Sequence, residues 1–292
     1  MKSSPSQKKG IIYAIISGLG FGFIGYFGMS LIHDNMSIAL TTFWRFFVSS
    51  IIIAIFSRKE LMLAIERPKE ILRLFFYGIV LYSTGTMTYF YGSKFIGTGL
   101  AMVIFFIFPV IVIAYNRFVQ KHKIDRLIYI SSIIILIGIS CLVKFDGVIL
   151  DEVGIGLCLL SASIYATYII VSRNNKLPAG LSTLSVSIGC VINTFTITTL
   201  DGSFYIPHTF VNWLDILGIA VISTAIPMLL FLKSLEHISS EKASLLTVLE
   251  PLFVVFLGVI FLGEKIDLMQ GIGAFLILTG STIALLEKPK SM

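Results

Sequence analysis

The chain has 292 residues and a formal charge of +6, with 56% of residues hydrophobic, only 13% charged and a mean hydropathy of +0.95. A soluble globular domain is about 45–50% apolar and about 25% charged, so this chain cannot hide its apolar surface in one aqueous core and needs lipid as solvent. The basic balance does not point to nucleic acid, because Lys and Arg sit in short segments between apolar runs and not on one surface with aromatic or helix-turn-helix context.

About twenty helical residues cross the hydrocarbon of a bilayer. With that ruler, ten spans are expected in chain order: 10–32, 37–56, 71–91, 97–118, 127–143, 153–172, 179–200, 214–232, 243–262 and 269–286. The first run is about 22 residues, longer than the 7–15 residues of a secretory signal's apolar region, so it reads as a retained span. These continuous apolar runs exclude a strand-based membrane barrel, which would show alternating ten-residue segments.

Orientation follows from Lys and Arg. With the N-terminus inside, the inner segments hold Lys2, Lys8, Lys9, Arg58, Lys59, Arg67, Lys69, Arg73, Arg117, Lys121, Lys123, Arg126, Arg173, Lys176, Lys233, Lys242, Lys288 and Lys290. The outer segments hold Lys94, Lys144 and Lys265, and Arg45 lies within a span. The expectation is an integral protein of a bacterial cytoplasmic (inner) membrane with both termini cytoplasmic. Cys141, Cys158 and Cys190 all lie in apolar segments without ligand spacing, so neither a disulfide framework nor a metal site is expected.

The sequence partly overlays itself at an offset of 142. Ile96 falls on Ile238, Ala101 on Ala243, Pro109 on Pro251, Lys123-Ile124-Asp125 on Lys265-Ile266-Asp267, and Gly138 on Gly280. The fold class expected is all-α membrane protein, with ten transmembrane helices as two five-helix repeats, 1–144 and 153–292, joined by a short linker at 145–152. An odd number of spans per copy inverts the second copy relative to the first, a build common to secondary transporters with a site near midplane.

These residues resemble the drug/metabolite transporter superfamily, specifically its EamA-type ten-helix exporters. The resemblance lies in Ser244-Leu245-Leu246-Thr247-Val248-Leu249-Glu250-Pro251, then Leu262-Gly263-Glu264-Lys265, Gly271 and Gly280, with a looser version at 101–109 and 123–125. Trp44-Arg45-Phe46 is similar to the family's second-helix Arg-Phe. The first copy departs from the pattern, with Phe108 where the Glu before proline would stand and His122 where a second Glu would. The resemblance implies a central cavity, alternating access and a small-molecule substrate; unequal halves follow from the departures.

Arg45 is the costliest residue in any span, at roughly 2.5–3.5 kcal/mol on insertion scales, so it is expected to face a cavity or a partner. It is either a fork for an anionic substrate group or a structural donor to backbone carbonyls. Glu250 lies at similar depth; it either carries a coupling proton or satisfies backbone groups freed by Pro251. Pro109, Pro227 and Pro251 interrupt their spans as hinges or static kinks. Tyr82, Ser83, Thr86, Tyr165, Tyr168 and Asn193, with Trp44, are the candidate cavity lining, since buried hydroxyls and amides need partners. Gly18, Gly22 and Gly25, and the heptad-spaced Gly78, Gly85 and Gly92, are expected to pack helices closely.

The function these readings support is a secondary transporter in the lipid bilayer, exporting amino acids or related amphiphilic solutes. A proton is the candidate coupling ion, no cofactor is expected, and the protein is a monomer or a homodimer. Import or exchange of S-adenosylmethionine or a nucleotide-linked solute stays open. An intramembrane enzyme is disfavoured because no H-E-x-x-H, no G-x-S-x-G and no paired intramembrane aspartates occur.

Overall fold

The computed structural model describes residues 5–143, 150–262 and 267–286; most of the expected linker and the Gly263-Glu264-Lys265 part of the motif lie outside them. The described residues contain helices and no strands: α1 (Pro5–Gly22), α2 (Ile24–His33), α3 (Ile38–Phe56), α4 (Met62–Glu66), α5 (Pro68–Tyr77), α6 (Thr84–Ile96), α7 (Thr98–Phe105), α8 (Phe108–Phe118), α9 (Arg126–Leu142), α10 (Glu152–Arg173), α11 (Ala179–Leu200), α12 (Phe210–Ala220), α13 (Ile226–His237), α14 (Ser240–Thr247), α15 (Glu250–Leu262) and α16 (Leu268–Leu285). Two wide π-helical turns, Gly78–Ser83 and Val221–Ala225, join α5 to α6 and α12 to α13. Seven helices are long and apolar enough to cross a membrane by length and composition, and Arg126–Leu142 is a shorter apolar one. The runs expected as first, third, fourth, eighth and ninth spans are composite: α1 and α2; α5, π turn and α6; α7 and α8; α12, π turn and α13; and α14 and α15.

Local chemistry sets the boundaries. Asp125 caps α9 by accepting from the Leu127 amide at 3.0 Å, and Asp267 caps α16 in a reciprocal box with Gln270. The repeated Lys-Ile-Asp is therefore a helix-start signal used twice. Pro109, Pro227 and Pro251 are each the second residue of a helical piece, α8, α13 and α15, where the missing amide proton costs least. Each sits just after a break or a π turn, because proline cannot bond the carbonyl four residues before it.

The offset of 142 recurs in the elements. Paired starts lie 142 positions apart for α5 and α12, α6 and α13, α7 and α14, α8 and α15, and α9 and α16. Packing is reciprocal as well: α9 lies on α16 and α3 on α11, while α1 packs on α13 as α10 packs on α6. At the α9–α16 crossing the backbones touch, since a Cβ on Gly138 would stand 2.9 Å from the Gly273 carbonyl oxygen and one on Gly273 2.6 Å from that of Gly138. In α1, Gly18 and Gly22 lie against Thr247 and Phe253, whereas Gly25 faces open space; Gly78, Gly85 and Gly92 meet α11 and α10.

Candidate functional site

The two π turns face each other's halves. From α3, Ser49 Oγ donates to the Ala220 carbonyl at 2.7 Å; from α11, the Cys190 thiol donates to the Gly78 carbonyl at 3.4 Å. Ser17 of α1 donates to Pro227 O at 2.8 Å, and Ser161 of α10 to Gly85 O at 2.7 Å. Gly78 and Ala220, like Gly85 and Pro227, are 142 positions apart. A wide turn leaves carbonyls off the ordinary ladder, and three hydroxyls and a thiol from the opposite half take these up.

Within this frame the charged residue of α3 lies deep. Arg45 is 4% exposed, and its Nε donates to Thr224 Oγ1 at 2.5 Å. Thr224 belongs to the second π turn and donates its own hydroxyl proton to Ile219 O at 2.7 Å. No described group accepts from the two Nη atoms of Arg45. The guanidinium carbon stands 5.1 Å from the Phe46 ring centre. The side-chain contact from α11 to the other π turn is uncharged: Asn193 Nδ2 donates to Ser83 Oγ at 2.7 Å, and Ser83 to Ile79 O at 3.0 Å.

Most predicted lining residues gather around this point. Tyr82 packs edge-on to Tyr168 at 4.9 Å, to Phe46 at 5.7 Å and to Tyr165 at 6.1 Å. Tyr165 also meets Phe108 at 4.9 Å and Phe105 at 5.4 Å. Glu250, partly buried at the start of α15, is within electrostatic reach of Arg45, Tyr82, Tyr89 and Tyr165. It is not in ion-pair contact with Arg45; the salt bridge among the described residues is Arg67–Glu70 at 3.5 Å. Its carboxylate has no described hydrogen-bond donor, so no capping of backbone amides freed by Pro251 is seen there. Thr86 bonds back to Tyr82 O at 2.9 Å within its own helix.

Trp44 stands elsewhere. Its indole packs on Phe43 and Trp213, each at 5.1 Å, and its N–H donates to Tyr205 O at 3.3 Å under the loop after α11. Adjacent helical residues point about 100° apart, so a neighbour of Arg45 in sequence need not share its cavity.

A narrow cleft reaches Arg45 between α2, α3, α6 and α12, lined by Gly28, Ile32, Ile38, Thr41, Phe90 and Ile219 among others. A wider surface groove on α9 and α16, lined by Leu136, Ile137, Ser140, Cys141, Val143 and Met269, shares no residue with it and carries no charged group. Sequence reasoning missed Thr41, Thr224, Phe105 and Phe108 as neighbours of the site. Two signals point to them: Thr41 is one helical turn before Arg45, and Thr224 lies 142 positions after Tyr82.

The EamA-like transporter family matches this sequence twice, over residues 8–144 and 152–286. The chain belongs to that family. It is a membrane transporter of the drug/metabolite superfamily. Over 98% of this chain and 92% of the relative, it is 22% identical to the uncharacterized transporter YxxF of Bacillus subtilis strain 168. It is 28% identical to the threonine/homoserine exporter RhtA of Escherichia coli K12, over 82% of this chain and 80% of that protein. A solved crystal structure superimposes with a TM-score of 0.80 at 14% identity, covering 96% of this chain and 98% of the other, which establishes the likeness of fold.

Proposed function

We propose that the protein exports amino acids or closely related small zwitterions across the cytoplasmic membrane by alternating access. Ten spans with both termini inside, arranged as two inverted copies at 1–144 and 153–292, form the frame; the recurring helix starts and reciprocal packing support it. The observation that carries the substrate reading is Arg45, buried yet with both Nη atoms unclaimed by described groups. A guanidinium fork suits a carboxylate. The faces of Tyr82 and Tyr165, with Glu250 in electrostatic range, suit an ammonium group. Threonine and homoserine, the solutes named for the RhtA relative, have both groups.

Glu250 is proposed as the proton carrier. A carboxylate without a hydrogen-bond donor among the described residues, in a low-dielectric site, can alternate between charged and neutral forms as access changes. The test is flux of L-threonine and L-homoserine in proteoliposomes, with and without a pH gradient. The expected result is uptake accelerated by the gradient in wild type and insensitive to it in Glu250→Gln. Absence of amino-acid flux under both conditions refutes the substrate, and gradient-dependent flux in Glu250→Gln refutes the carrier.

A further inference from the structure

We infer that Arg45, Thr41 and Thr224 form a carboxylate subsite, in which Arg45 and Thr41 touch the anion and Thr224 positions Arg45. The inference rests on reading Arg45 as the substrate anchor, and it adds two residues whose side chains are otherwise ordinary for an apolar span.

Thr41 is 6% exposed, its hydroxyl has no hydrogen-bond partner among the described residues, and it lines the same cleft as Arg45. Leaving such a hydroxyl dry and unpaired costs about 1–3 kcal/mol. The neighbouring Thr42 shows the ordinary solution, donating to the Ile38 carbonyl one turn back at 2.7 Å. Thr41 and Arg45 are four residues apart on α3, so they present to one face. An incoming carboxylate can accept from the two Nη groups through its parallel oxygens and from the Thr41 hydroxyl through a remaining lone pair.

Thr224 does a different task. Its single hydroxyl proton is committed to Ile219 O, five residues back along the wide turn. The oxygen is left as an acceptor, and Arg45 Nε occupies it. That bond fixes the plane of the guanidinium and turns the Nη pair away from Thr224. The carbonyl that orients Thr224 belongs to the segment entering the π turn, so any reshaping of that turn swings the fork. Substrate grip and backbone rearrangement are thereby linked through one hydroxyl.

The experiment is the thermal shift of purified full-length protein in detergent, titrated with L-threonine and, as the matched uncharged-end probe, L-threonine amide. L-homoserine, L-phenylalanine and S-adenosylmethionine are titrated in the same way to cover other carboxylate-bearing solutes. The subsite predicts that at least one carboxylate stabilises wild type and that its amide or methyl ester does not. Thr41→Val and Thr224→Val weaken that carboxylate's half-saturation by about tenfold, the scale of one bond to a charged group, while Thr41→Ser and Thr224→Ser restore it. Unliganded melting temperatures identify variants that merely unfold, and the serine variants keep the test decisive there. If Arg45→Gln abolishes the preference for carboxylate while both valine variants bind as wild type does, the subsite is wrong and the Arg45 anchor stands. If no carboxylate binds, or Arg45→Gln keeps the preference, the anchor and the subsite fall together.

Discussion

The two π turns occupy equivalent positions in sequence and are held by the same kinds of contact, yet among the described residues only one takes a hydrogen bond from a charged side chain. The turn at 221–225 receives Arg45 on Thr224; the turn at 78–83 receives Asn193 on Ser83. The first-half turn is also tighter, since a Cβ added to Gly78 would stand 3.1 Å from the Gly189 Cα, whereas its counterpart has Ala220 with Ser49 bonded to it. One frame thus serves two uses: a rigid backbone crossing in one half and a charged, partly unsatisfied contact in the other. A duplicated architecture keeps its folding instructions symmetric while the chemistry is free to diverge.

Replacing the charged side breaks this contrast most strongly. Arg45→Gln removes two charge-assisted bonds, together on the order of 3 kcal/mol, which corresponds to about a hundredfold loss in kcat/KM for amino-acid flux. Asn193→Ala leaves substrate preference unchanged in the same proteoliposome assay. Next comes the crossing: a Cβ on Gly78 would lie 2.1 Å from the Val186 carbonyl oxygen. Gly78→Val therefore destabilises by roughly 1–3 kcal/mol, read as a lowered melting temperature in detergent, while Ala220→Gly costs at most about 1 kcal/mol. A comparable loss at both positions would end the claim that the turns are packed differently. Asn193→Leu, which deletes the Ser83 bond, is expected to lower stability by about 1 kcal/mol, within the range for interhelical bonds in membranes. The smallest effect belongs to Ser49→Ala, about 0.6 kcal/mol, the average for one interhelical hydrogen bond in a membrane.

Much of the frame was legible because it is written in local chemistry. Apolar runs of membrane length name the helices, prolines mark where pieces restart, and the twice-used Lys-Ile-Asp turns out to be a capping signal at Asp125 and Asp267. Arg45 was legible through its insertion cost alone. Thr41 and Thr224 were not, since a threonine in a span usually bonds its own helix, as Thr42, Thr183 and Thr194 do here. Trp44 drew attention through adjacency to Arg45 in sequence, and helical geometry then turned it toward Tyr205. The π turns left no mark in residue pattern, because the widening depends on what packs against each carbonyl.

The sequence by itself determined that this chain lives in lipid, which stretches of it are helical, and that its two halves share one plan. Those properties follow from transfer energies and from bonds spanning a few residues. Only the tertiary structure decided which polar side chains share a cleft, that Arg45 is held by its Nε and not its Nη atoms, and that Glu250 stands near it without pairing. These depend on distances between residues as much as 205 positions apart, from Arg45 to Glu250, which helix packing sets and local pattern does not encode.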